Sequence, residues 1–144
     1  MSMIDITAKP EVFRKATARG QVRLRKETVG LIREGRVEKG DPLYAAKIAG
    51  VLAAKKTSSL IPLCHPIPLT SVEVDLRIID DATVEIESTV KTKAQTGVEM
   101  EALVATATAL LTVWDMTKQY EKDAEGQYPY TAIESISVIR KVKE

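Results

Sequence analysis

From Ala102 to Trp114 the chain reads ALVATATALLTVW without a charge, and charge returns at once on both sides, with Glu99 and Glu101 before the stretch and Asp115 and Lys118 after it. The stretch falls short of the roughly 20 apolar residues that span a bilayer and is diluted with threonine, so it reads as a buried helix and not a membrane span. The helix is expected to open at Thr96-Gly97 and to run to about Lys122.

Elsewhere the hydrophobic period is that of strands. Ser71–Ile79 (SVEVDLRII) puts Val72, Val74 and Leu76 on one face and Glu73, Asp75 and Arg77 on the other, and Thr83–Val90 repeats the alternation after an Asp-Asp-Ala turn. The pair predicts a β-hairpin. Tyr130–Val142 reads as a final strand, Gln21–Arg25 as an exposed one, and MIDIT near the start as a short extended arm. Glu27–Arg36 has the pattern of a short amphipathic helix. In Gly40-Asp41-Pro42 a loop, an N-cap and a proline at the first helical position open an alanine-rich helix expected over Pro42–Thr57, with Ile48, Val51 and Leu52 on one side. Helices and antiparallel strands in mixed order predict a single α+β domain, residues 1–144, with one sheet covered by helices. A length of 144 residues with 44% apolar and 28% charged residues fits one such core.

A net charge of +1 gives no global pull toward nucleic acid or membrane, so any anion must be held by a local cluster. One cysteine forms no internal disulfide, and MSMIDITAKPEVFRK lacks the apolar run of a signal peptide, which predicts a cytoplasmic protein.

The only cysteine and the only histidine stand side by side in the proline loop SSLIPLCHPIPL. Adjacent side chains on extended backbone point to opposite faces, so Cys64 and His65 diverge and do not form a hydrogen-bonded nucleophile and base. Zinc-type ligand spacing is absent, which disfavours a metal site. Cys64 is expected to fill space, as buried thiols do. His65, held before a proline, projects from a rigid loop and is a ligand-binding candidate. Arg14, Lys39, Lys55 and Lys56 form a dispersed basic set. Lys39 precedes a helix start, where free N–H groups also favour anions, and Lys55 leads into the proline loop. Asp115 and Lys118 fit an i,i+3 ion pair, and a partly buried lysine beside a carboxylate also suits proton transfer. From Glu101 to Asp115 a helix turns back to within about 40° of the same face, yet advances roughly 21 Å. If both ends belong to one small-molecule site, that site must be shared between subunits.

Taken together, KGDPLYAAKIAGVLAAKKT, LIPLCHP, TGVEMEAL and DMTKQYEKD, in this order, closely resemble the MoaC family, the cyclic pyranopterin monophosphate synthases of molybdenum-cofactor biosynthesis. The resemblance runs from about Ile4 to Asp123. It implies a ferredoxin-like α+β fold and a homo-hexamer built as a trimer of dimers, with active sites at dimer interfaces. The implied reaction is a phosphorus–oxygen lyase step that converts 3′,8-cyclo-7,8-dihydroguanosine triphosphate to cyclic pyranopterin monophosphate and pyrophosphate. It implies Asp115 and Lys118 as the catalytic pair. Leu63, Cys64, His65, Glu99, Met100 and Glu101 become substrate-binding, and Arg14, Lys39 and Lys55 the cations facing the triphosphate. No resident metal or organic cofactor is expected, which leaves open a divalent ion carried in with the triphosphate. One departure stands out. Many members of the family end in a lysine- and glycine-rich segment bearing a further active-site lysine, whereas this tail reads TAIESISVIRKVKE, with Ser135 near that position. Either Arg140, Lys141 or Lys143 substitutes, or the site has one cation fewer. Competing readings are a non-catalytic ligand-binding or oligomerising module, since fold alone does not fix function, and a thiol-dependent hydrolase resting on Cys64.

Overall fold

The computed structural model describes residues 1–144. In chain order the elements are β1 (Val12–Arg23), α1 (Lys26–Arg33), α2 (Pro42–Lys55), α3 (Thr57–Leu60), β2 (Ser71–Asp80), β3 (Thr83–Ala94), α4 (Glu99–Thr117) and β4 (Ala132–Lys143). The strands form one sheet in the order β2-β3-β1-β4, with every neighbouring pair antiparallel. This is the α+β, ferredoxin-like arrangement: the strands of each βαβ half are split by a strand of the other half.

Alternation decides which face is buried. On β1, Ala16, Ala18, Gly20 and Val22 stand opposite Val90, Ser88, Ile86 and Val84 of β3. All eight are buried, and α4 packs over β1 and β3. The other face is polar, with Thr17 hydrogen-bonded to Thr89 at 3.0 Å and Arg19 paired to Glu85 at 2.7 Å.

Small residues bring the layers close. A Cβ on Gly20 would come within 2.7 Å of the Leu110 side chain, and one on Gly50 would lie 3.2 Å from the Ala105 carbonyl and 3.0 Å from Val74. Thus α2 lies against α4 through Gly50, Ala105 and Ala109, while Leu110 and Val113 fill the space above the sheet without any exposure. Burial of such side chains contributes about 1.5–3 kcal/mol each.

Three sequence expectations change. The strand expected at Gln21–Arg25 begins at Val12 instead and is central, not exposed. Its alanines, threonines and glycine hide the usual strand signal because α4 leaves no room for larger side chains on the inner face. The second helix stops at Lys55 and resumes as the short α3, with Thr57 Oγ1 donating to the Ala53 carbonyl at the break. The long helix ends at Thr117 and tightens into a 3₁₀ turn over Lys118–Tyr120.

The packing makes a paired prediction. Gly50→Val should lower unfolding free energy by about 1–3 kcal/mol through overpacking. Gly30→Ala, in α1 with nothing within 4 Å of the added Cβ, should raise it by about 0.5–1 kcal/mol. Denaturant unfolding of both variants checks the pair; equal effects would contradict the close α2–α4 contact.

Candidate active site

The sequence-predicted residues gather at the two ends of α4. At its C-terminal end Lys118 Nζ lies 3.4 Å from Asp115 Oδ1, and Lys39 Nζ lies 3.4 Å from Oδ2 and 3.2 Å from the Asp115 carbonyl. Lys39 reaches this point because its loop is fastened. Gly40 turns the chain at φ +120°, a conformation that suits glycine. The Asp41 carboxylate then accepts from the N–H groups of Leu43 and Tyr44 and starts α2. From the other side the Glu38 N–H donates to Tyr120 Oη at 2.8 Å, and Gln119 donates to the Glu38 carboxylate.

Glu121 fixes the turn that bears Lys118. Fully buried, its carboxylate accepts from the Arg25 N–H at 3.0 Å and from the Thr28 hydroxyl at the start of α1. Two ammonium groups on one carboxylate hold the Asp115 carboxyl below the usual range, Lys118 through its hydrogen bond first and Lys39 second.

At the N-terminal end of α4 the environment is the reverse. Glu101 is buried, its Oε2 accepts from the Cys64 thiol at 3.8 Å, and its Oε1 has no partner. Burial pushes the Glu101 carboxyl up, the Glu99 charge adds to this, and the bond from Cys64 opposes it. The Cys64 thiol is also pushed up, by burial first and then by Glu101. A thiol held protonated is a poor nucleophile, which counts against a thiol-dependent hydrolase.

His65 and Cys64 engage different partners: the thiol meets Glu101, whereas His65 Nε2 lies 2.7 Å from the Ile4 carbonyl. Leu63 is exposed at the tip of the loop, and Met100 is half-buried in the first turn of α4. The Thr92 hydroxyl pins the loop through the Pro68 carbonyl. Arg14 is buried and donates to the carbonyls of Ala94 and Gln95, bracing the turn into α4. Lys55 is exposed beside a shallow cleft bordered by Val51, Leu69 and Val72. No hydrogen bond or ion pair links this group to the Asp115 group.

The chain that sets a lysine–aspartate pair at one end of this helix and a Cys-His proline loop at the other matches the model of the MoaC family over residues 3–143. The chain belongs to the MoaC family. It is 56% identical to a protein of Sulfurisphaera tokodaii over 98% of this chain and 93% of that one. It is 55% identical to one of Pyrococcus abyssi over 99% and 89%, and 51% identical to one of Pyrococcus furiosus over 100% and 92%. Each of these relatives is named a probable cyclic pyranopterin monophosphate synthase.

For a MoaC member, sequence reasoning missed the residues that aim the others: Glu121, Gln119, Tyr120 and Gln95. Their partners lie far along the chain, so no local spacing announces them. In the altered tail, Lys141 lies 3.7 Å from Glu99, having been carried there by the β1–β4 register.

The Glu101 environment predicts a pH dependence. A carboxyl whose folded value is raised contributes stability that is fully present below the ordinary glutamate range and is lost as pH rises through the folded value. Glu101→Gln removes that titration. The melting temperature of the variant minus that of wild type should therefore grow as pH rises above the ordinary glutamate range; a difference independent of pH would contradict the assignment.

Proposed function

We propose that this chain is a cyclic pyranopterin monophosphate synthase, releasing pyrophosphate from the cyclic dihydroguanosine triphosphate as it forms the pterin product. The observation that carries this reading is the Lys118 ammonium 3.4 Å from an Asp115 carboxylate that Lys39 also engages. Lys118 serves as general acid and base. Asp115, kept ionised by two cations, orients Lys118 and is a weak proton acceptor in its own right.

Leu63, Cys64, His65, Glu99, Met100 and Glu101 hold the pterin-forming part of the ligand. Arg14, Lys39 and Lys55 face the triphosphate and stabilise the charge that develops on pyrophosphate. Lys141 takes the cationic place of the missing tail lysine, since it is the tail cation paired to Glu99. The reading includes no resident cofactor; a divalent ion, where it takes part, enters with the triphosphate. The protein acts in the cytoplasm, in keeping with one unpaired cysteine and with the absence of any helix long and apolar enough to cross a membrane.

The two clusters stand roughly 21 Å apart along α4, too far for one small ligand. Each complete site therefore joins the Asp115 end of one subunit to the Glu101 end of another, in a hexamer arranged as a trimer of dimers. An apolar stripe supports assembly: Tyr44, Ile48 and Leu52, on successive turns of α2, are 67%, 47% and 51% exposed.

Turnover of the purified cyclic triphosphate tests the reading, with pyrophosphate and pterin followed in parallel. Wild type should form both in step, and Lys118→Ala should lose at least about a hundredfold, the scale of general acid–base catalysis. A folded, assembled wild type without product would overturn the function, and an unimpaired Lys118→Ala would overturn the assigned role of Lys118.

A further inference from the structure

The segment ahead of β1 is not a loose end. Asp5 Oδ1 accepts from the Thr7 N–H at 2.9 Å and from the Thr7 hydroxyl, and the Lys9 N–H donates to the Ile6 carbonyl at 3.0 Å, so the segment forms its own turn. Gln95 then docks it, donating from Nε2 to the Thr7 carbonyl at 3.3 Å and to the Lys9 carbonyl at 3.0 Å. Gln95 belongs to the same turn into α4 that Arg14 braces.

Held in this way, the segment crosses the proline loop. It encloses a cleft of about 350 Å³ with Ser2, Ile4, Ile6 and Lys9 on one side and Leu63, His65 and Thr96 on the other. That volume is within the range of small-molecule sites. The strongest contact between the two sides is the 2.7 Å approach of His65 Nε2 to the Ile4 carbonyl. A carbonyl only accepts, so in this contact Nε2 bears the proton. In the neutral ring Nδ1 is then a lone-pair acceptor, and it makes no hydrogen bond within the chain.

We propose that the segment Ser2–Lys9 is a positioning strap for the ligand site: the Ile4 carbonyl fixes His65 as its Nε2–H tautomer, so that Nδ1 is presented to an N–H or O–H donor of the ligand. The proposal rests on the reading of His65 as a ligand-binding residue. It adds a division of labour: the strap sets which nitrogen does the binding, and Gln95 sets where the strap lies.

His65 is the only histidine, so its ring nitrogens give an unambiguous ¹⁵N signal. In alkaline solution, where imidazoles are neutral, the full chain should show the Nε2–H tautomer alone. A chain lacking Met1–Asp5 should show a mixture of tautomers, and Gln95→Ala, which frees the strap without shortening the chain, should move the same way. Both should raise KM for the cyclic triphosphate roughly tenfold, the scale of one hydrogen bond, and change kcat less. A mixed or Nδ1–H tautomer in the full chain would overturn the proposal. So would an unchanged tautomer in both variants, or changed tautomers with unchanged KM while His65→Ala raises it. Failure of the underlying reading is separate and visible: His65→Ala would then leave KM as in wild type, and the strap would have no ligand group to position.

Discussion

The close contact of α4 with its surroundings is what the rest of the structure depends on. Gly20 beneath Leu110 and Gly50 against the Ala105 carbonyl allow backbones to approach where larger residues would hold them apart. The result is a helix uncharged between Ala102 and Trp114 and buried along its inner face, which cannot bend without opening voids that densely packed interiors do not tolerate cheaply. Charged groups are therefore confined to its ends. That confinement turns α4 into a fixed spacer between two polar clusters, one around Asp115 and the other around Glu101.

The two ends show how burial and charge set opposite behaviour in chemically similar side chains. Asp115 is 59% exposed with two lysines at hand, and ionisation is favoured. Glu101 is 3% exposed with a thiol for company and another carboxylate nearby, and ionisation is resisted. Such divergence between carboxyl groups is a usual sign of divided roles in catalysis. Arg14 shows a third case. It is buried like Glu101, yet its charge is met by the backbone carbonyls of Ala94 and Gln95 at the turn into α4, which it braces.

Much of this was legible in the sequence because it is local. Alternation marked β2 and β3, the Gly-Asp-Pro signature marked the start of α2, and Cys64 and His65 take different partners, as their adjacency led one to expect. The i,i+3 spacing foretold the Asp115–Lys118 pair. What stayed hidden was set by tertiary contact. β1 carries small residues because of α4, so propensity understates it. Lys39 joins Asp115 only because Tyr120 and Gln119 tie its loop down, and Lys141 meets Glu99 only through strand register.

The central claim is that the two ends of α4 act together across subunits. Mixing a Lys118→Ala chain with a Glu101→Gln chain, each weakly active alone, tests it most directly. Reassembled hybrids should recover a substantial share of wild-type turnover, because one of the sites a hybrid pair forms has both groups intact. Hybrids confirmed by mass yet no more active than the parent variants would show that each subunit works with its own residues, and the division along α4 would have to be abandoned.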